Sequence, residues 1–132
     1  MIVLDTHALV WWASGDDQML SLKAKQAIEA ELDGGKILVS SISAWELSML
    51  INRGRLALTM DVAQWLSNLA SIEAVQFVPV DNEIAVKSTE LPGEFHKDPA
   101  DRFIVATARK FAAPLVTADE KIRAYPHVRT IW

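Results

Sequence analysis

The sequence contains no cysteine. A disulfide framework, a thiolate metal site and a cysteine nucleophile are therefore excluded, and the composition fits a reducing, cytoplasmic setting. Long apolar runs are also missing, since none approaches the roughly 20 residues that cross a bilayer. No membrane association is expected. Met1-Ile2-Val3-Leu4-Asp5 has no basic leader and meets an acid at once, so it does not read as a signal peptide. No linker rich in proline, glycine or serine breaks the chain, nor does any repeat or low-complexity stretch. One domain over residues 1–132 is expected.

Positive charge is in deficit as well. Lysine and arginine number 13 against 17 aspartates and glutamates, a formal net charge of −4. A chain that bound nucleic acid by blanket attraction would be basic. Any contact with nucleic acid must then run through bound metal and a few placed cations.

What the chain does have is a core. Its hydrophobic fraction is 51%, and its apolar residues fall in short runs separated by helical patterns. Ile2-Val3-Leu4 reads as a buried strand ending in Asp5. A helix over Ala8 to Trp12 follows, broken at Ser14-Gly15-Asp16-Asp17. Ser21 caps a helix to about Leu32, which Gly34-Gly35 terminates. Lys36 to Ser40 is a second strand. Ser43 to about Asn52 is a helix stopped near Gly54, with Ser43 and Glu46 spaced as a capping box. Asp61 caps a helix to Leu69, with Gln64 in the same reciprocal position. Val75 to Val80 is a third strand, and Asp81 to Leu91 is helical. A polar loop, Glu94 to Lys97, precedes Asp98-Pro99, a strong helix start. That helix runs to about Ala112 and is apolar on most sides, so it should be deeply buried. Leu115-Val116-Thr117 is a fourth strand, Asp119 to about Tyr125 a short helix, and Val128 to Ile131 a fifth strand.

Short apolar strands alternating with helices mean a parallel sheet covered on both faces. The expected fold class is α/β: a single-domain α/β/α sandwich around a mainly parallel sheet. Ligands bind such sheets at the carboxyl ends of strands, near the switch in strand order. Asp5 and Asp119 lie at that edge.

Four acids compete with capping roles. Asp5 and Asp119 can each cap the helix that follows. Glu46 fits a capping box. Asp101 falls in the first turn of its helix, where the dipole favours a carboxylate, but a surface acid fits poorly on so apolar a helix. Asp98 has an evident task as the N-cap. Each capping role is plausible alone, yet together they put four acids at strand ends or helix starts. Clustered carboxylates repel one another unless a cation joins them. With no cysteine and no paired histidine, such a cluster suits Mg²⁺ or Mn²⁺ rather than zinc.

Taken in order, Val3-Leu4-Asp5-Thr6-His7-Ala8-Leu9, Ser43-Ala44-Trp45-Glu46, Asp98-Pro99-Ala100-Asp101-Arg102-Phe103-Ile104-Val105-Ala106-Thr107-Ala108 and Leu115-Val116-Thr117-Ala118-Asp119 resemble PIN-domain proteins. They look most like the VapC-type toxins of bacterial toxin–antitoxin pairs. The resemblance covers essentially the whole chain. It implies a Mg²⁺- or Mn²⁺-dependent endoribonuclease, inhibition by a small cognate antitoxin, and a homodimer. It assigns Asp5, Glu46, Asp101 and Asp119 to the catalytic metal site, and it implies a 5′-phosphate product. Thr6, Asp98 and Thr117 would orient those ligands from outside. Arg53, Arg55, Lys97 and Arg102 are the cations placed to meet RNA. His7 and His96 are further candidates, although a lone histidine is more often structural.

Rival readings are a catalytically silent PIN-fold binding module and a phosphoacceptor receiver-like domain. The receiver wants a pair of acids after the first strand and a lysine after the last, and this chain has neither. An aspartyl phosphatase would want Asp where His7 stands. Trp11 and Trp12 are adjacent on a helix, about 100° apart. One of them is therefore expected at the surface, in a dimer interface or an antitoxin groove.

Overall fold

The computed structural model describes residues 1–16 and 18–132. Asp17, the last residue of the break expected after the first helix, lies outside the described residues. The elements are β1 (Ile2–Leu4), α1 (Thr6–Ala13), α2 (Leu22–Leu32), β2 (Ile37–Ser40), α3 (Ile42–Asn52), α4 (Val62–Ala70), β3 (Val75–Val78), α5 (Asn82–Thr89), α6 (Pro99–Lys110), β4 (Leu115–Val116), α7 (Glu120–Arg123) and β5 (Thr130–Ile131).

Five parallel strands form one sheet in the order β3-β2-β1-β4-β5. Ile2 faces Ile37, and Val3 faces both Leu38 and Leu115 across the neighbouring strands. Side chains alternate across a strand, and the core divides accordingly. Ile2, Leu4, Ile37, Val39 and Val116 join one apolar layer with α1, α2 and α4. Val3, Leu38 and Leu115 join the other with α5, α6 and α7. Strands buried on both sides are rich in apolar residues, which is why β1 and β4 are wholly apolar and β2 has Ser40 as its one polar side chain.

Ser21 accepts from the Ala24 N–H and starts α2, and Asp81 does the same for α5 through the Ile84 N–H. Beyond the ends of α2 and α3, Gly34 and Gly54 adopt φ of +81° and +70°, which a side chain would disfavour. The two expected capping boxes do not form. Helix α3 starts earlier, behind Ser41, which makes no side-chain cap bond. Ser43 is instead inside the helix and buried. Asp61 makes no cap bond, and Gln64 reaches Asn68 one turn on. Tertiary partners outbid the local pattern at Ser43, and an i,i+4 amide pair did so at Gln64.

Trp11 and Trp12 are both partly buried and pack against the first apolar layer. Trp11 also meets the rings of His7 and Trp132. Trp12 lines an apolar groove with Leu58, Met60, Trp65 and Ile72. Among the described residues, no helix is long and apolar enough to cross a membrane.

The chain builds β1, β2 and β3 outward on one side, then crosses back to lay β4 against β1. The switch in strand order therefore lies between β1 and β4. Its carboxyl edge is the crevice where such sheets bind ligands.

Candidate active site

Asp5 follows β1 directly and is only 7% exposed. Its Oδ1 accepts from the Thr6 N–H at 2.8 Å, and its Oδ2 accepts from the Thr117 hydroxyl at 2.6 Å. Thr117 follows β4 and is fully buried. Its Oγ1 also accepts from the Asp119 N–H at 3.0 Å. One hydroxyl thus ties the acid after β1 to the backbone carrying the acid after β4. Asp119 also caps α7 by accepting from the Ile122 N–H.

Helix α3 brings Glu46 to the same edge from β2. The Thr6 hydroxyl donates to Glu46 Oε1 at 2.5 Å and shares a hydrogen bond with Ser43 Oγ at 2.8 Å. This explains the failed capping box, since both of its members turn inward to Thr6. Helix α6 brings Asp101. Its Oδ2 lies 2.6 Å from His96 Nε2, and its N–H donates to Asp98 Oδ1. Asp98 is the N-cap, as its place before Pro99 suggested. A shallow pocket of about 380 Å³ opens here, lined by His96, Asp98, Asp101, Asp119, Glu120 and Lys121.

The electrostatics tie these acids into one group. Burial is the main cause that raises the carboxyl pKa of Asp5, with Asp119 adding to it; Thr117, Thr6 and His7 pull it back. Burial raises Glu46 too, and Asp5 and Asp98 add to that, against the Thr6 hydrogen bond. Asp101 is pushed up to about 7, first by burial and then by Asp5, Asp98 and Asp119, in spite of the His96 contact. Burial is the first cause of each raised value, and the neighbouring carboxylates add to it.

Among the described residues, no three His, Asp or Glu side chains are placed to hold one metal ion as they stand. Each acid has turned to a protein donor: Asp101 to His96, Glu46 to Thr6, Asp119 to the Ile122 N–H. The donor set itself is all hard oxygen, with Asp5 fixed at its centre. It suits a hard divalent cation once the outer carboxylates turn inward.

Three expected residues take other roles. Arg102 is partly engaged by the protein itself, because its guanidinium donates to the carbonyls of Ser88, Phe95 and His96. It holds the loop before α6 through Nε and Nη1. His96 proves to be the partner of Asp101. It lies in an irregular loop five residues upstream, with no helical spacing to mark it. Ser43, read from sequence as a cap, is buried beside Thr6. Arg53, Arg55 and Lys97 remain exposed.

A family model for the PIN domain matches residues 2–128. The chain belongs to the PIN domain family. It is 39% identical to Ribonuclease VapC22 of Mycobacterium tuberculosis over 133 residues, covering 99% of this chain and 98% of that protein. Solved PIN-like folds resemble it over their whole length. A chain from a toxin–antitoxin complex of Klebsiella pneumoniae superposes with a TM-score of 0.65 at 22% identity, covering 97% of this chain and 95% of that one. A chain of VapBC2 from Rickettsia felis, bound to a DNA fragment from its promoter, gives 0.68 at 20% identity, with 98% and 97% covered. At such low identity these two speak for the PIN fold, while the mycobacterial relative places the chain among VapC-type proteins.

Proposed function

We propose that the protein is an endoribonuclease, the toxin of a toxin–antitoxin pair, whose Asp5, Glu46, Asp101 and Asp119 hold Mg²⁺ or Mn²⁺. The observation that carries this reading is the group of acids at the β1/β4 switch, where burial and mutual repulsion raise Asp5, Glu46 and Asp101 together. Kinship with a ribonuclease at 39% identity supports the substrate class. When bound, the cation supplies charge neutralisation at the phosphodiester and acidifies water.

The chain's own residues do the rest. Thr117 and Thr6 fix both oxygens of Asp5, so the central ligand is preorganised. Thr6 orients Glu46 through Oε1 and leaves Oε2 to accept the proton lost by the attacking water. His96 steers Asp101, and Asp98 fixes the start of the helix that carries it. Hydrolysis then leaves a 5′-phosphate. Arg53, Arg55 and Lys97 offset the net charge of −4 where RNA approaches.

A groove of about 700 Å³ between Trp12, Leu58, Met60, Trp65 and Ile72 is the seat for an apolar segment of a small antitoxin. A homodimer and a cytoplasmic setting complete the proposal. The silent binding module remains the second reading, because no three of the acids converge as placed.

The test is cleavage of total cellular RNA by antitoxin-free protein with Mg²⁺, with Mn²⁺ and with EDTA. Activity that needs the metal and disappears in Asp5→Asn and Asp101→Asn supports the nuclease. If Asp98→Asn abolishes cleavage and Asp101→Asn does not, those two assignments are reversed. Folded protein that cleaves nothing under any condition favours the silent module.

A further inference from the structure

Tryptophan is mostly buried in proteins, and four of the five here are buried or partly so. Trp45 is the exception at 55% exposure. It joins neither apolar layer. No ring contact or indole hydrogen bond engages it among the described residues. It directly precedes Glu46 in the first turn of α3, at the sheet edge where the acids gather.

Further along α3, Met49 is half-buried and Arg53 is exposed. Positions 45 and 49 are i, i+4 neighbours on α3, and Arg53 is the C-cap just past its end. Arg53 forms no ion pair among the described residues. A flat exposed aromatic in the first turn of α3 and an unpaired cation at its C-cap, beside the group of acids, match the way proteins hold single-stranded nucleic acid. Bases stack on the ring, and the cation meets the backbone.

We propose that Trp45 is a stacking platform for the RNA base next to the scissile phosphate, with Arg53 holding a phosphate further along the strand. This rests on the nuclease reading and adds the direction in which the substrate lies: from the first turn of α3 toward its C-cap. Stacking tolerates any base but not its removal, so Trp45 contributes affinity and register rather than the chemical step.

The experiment compares wild type, Trp45→Ala, Trp45→Phe and Arg53→Ala. Binding is measured with a random-sequence RNA dodecamer with Ca²⁺ in place of Mg²⁺, and single-turnover cleavage with total cellular RNA. Trp45→Ala should weaken binding roughly ten- to a hundredfold. The rate at saturating RNA should hold, and so should the midpoint of unfolding. Trp45→Phe should restore most of the affinity. The dodecamer should quench tryptophan emission in wild type and much less in Trp45→Phe. Arg53→Ala should weaken binding and flatten its salt dependence.

Unchanged RNA binding in Trp45→Ala overturns the proposal, and a simultaneous change in oligomer mass would assign Trp45 to a protein interface instead. If wild type neither binds nor cleaves RNA, the nuclease reading fails first and takes this one with it. Cleaving wild type with an indifferent Trp45→Ala removes only the stacking role.

Discussion

Thr117 has the most consequential hydroxyl in the molecule. It donates to buried Asp5 and accepts from the Asp119 N–H. Replacing it by valine leaves Asp5 Oδ2 without its donor, with only the Thr6 N–H kept on Oδ1, which costs about 1–3 kcal/mol. Thr117→Val should therefore lower stability in denaturant titration and suppress cleavage, whereas Thr117→Ser should keep most of both. Asp101 makes a pH prediction. Its carboxyl is raised to about 7 in the folded protein from 3.8, so between those values the folded state keeps a proton that the unfolded chain releases. The stability from that proton is complete below 3.8 and is lost as pH rises through 7. In EDTA the melting temperature should fall between pH 5 and pH 8, and Asp101→Asn should flatten that slope. A melting temperature that rises over this window in wild type would contradict the account.

At the scale of elements, the loop between α5 and α6 is held by Arg102 together with Tyr125, whose hydroxyl donates to the Pro92 carbonyl. Arg102 reaches from α6 back to Ser88, Phe95 and His96, with its guanidinium 6.0 Å from the Phe95 ring. Arg102→Ala should cost about 2 kcal/mol, because it strips three carbonyls of their donor. It should also loosen His96 and reduce cleavage more than RNA binding, which separates a holding role from direct contact. Asp98 works at the same helix start but locally. Asp98→Ala should cost about 1 kcal/mol as a lost N-cap and leave measurable cleavage, unlike Asp101→Asn. Unfolding curves and initial rates on the same preparations check both. The strong start signal Asp98-Pro99 was readable because it is local. The apparent box at Ser43 and Glu46 misled because Thr6, 37 and 40 residues away, supplies better partners.

Across the whole molecule, negative charge gathered at one sheet edge stores repulsion that a divalent cation would relieve. Mg²⁺ or Mn²⁺ in excess should raise the melting temperature. The gain is about 2.7 kcal/mol at a hundred times the dissociation constant. Asp5→Asn should abolish that gain, and a metal-indifferent melt in wild type would remove the proposed site. Calorimetry with and without EDTA makes the measurement directly.

Some of this was legible in the sequence alone. Every strand and helix of the fold was anticipated, because apolar runs and caps act over a few residues, although β3 and β5 are shorter than their apolar stretches. The four acids could be named in order, since the PIN resemblance attaches to short motifs. The tertiary structure alone decided which side chains meet. It put Thr117 on Asp5, His96 on Asp101 and Arg102 on its loop, and it exposed Trp45 while partly covering Trp11 and Trp12. Those contacts join residues distant in sequence or set by how a helix rolls against the sheet, and no local pattern carries that information.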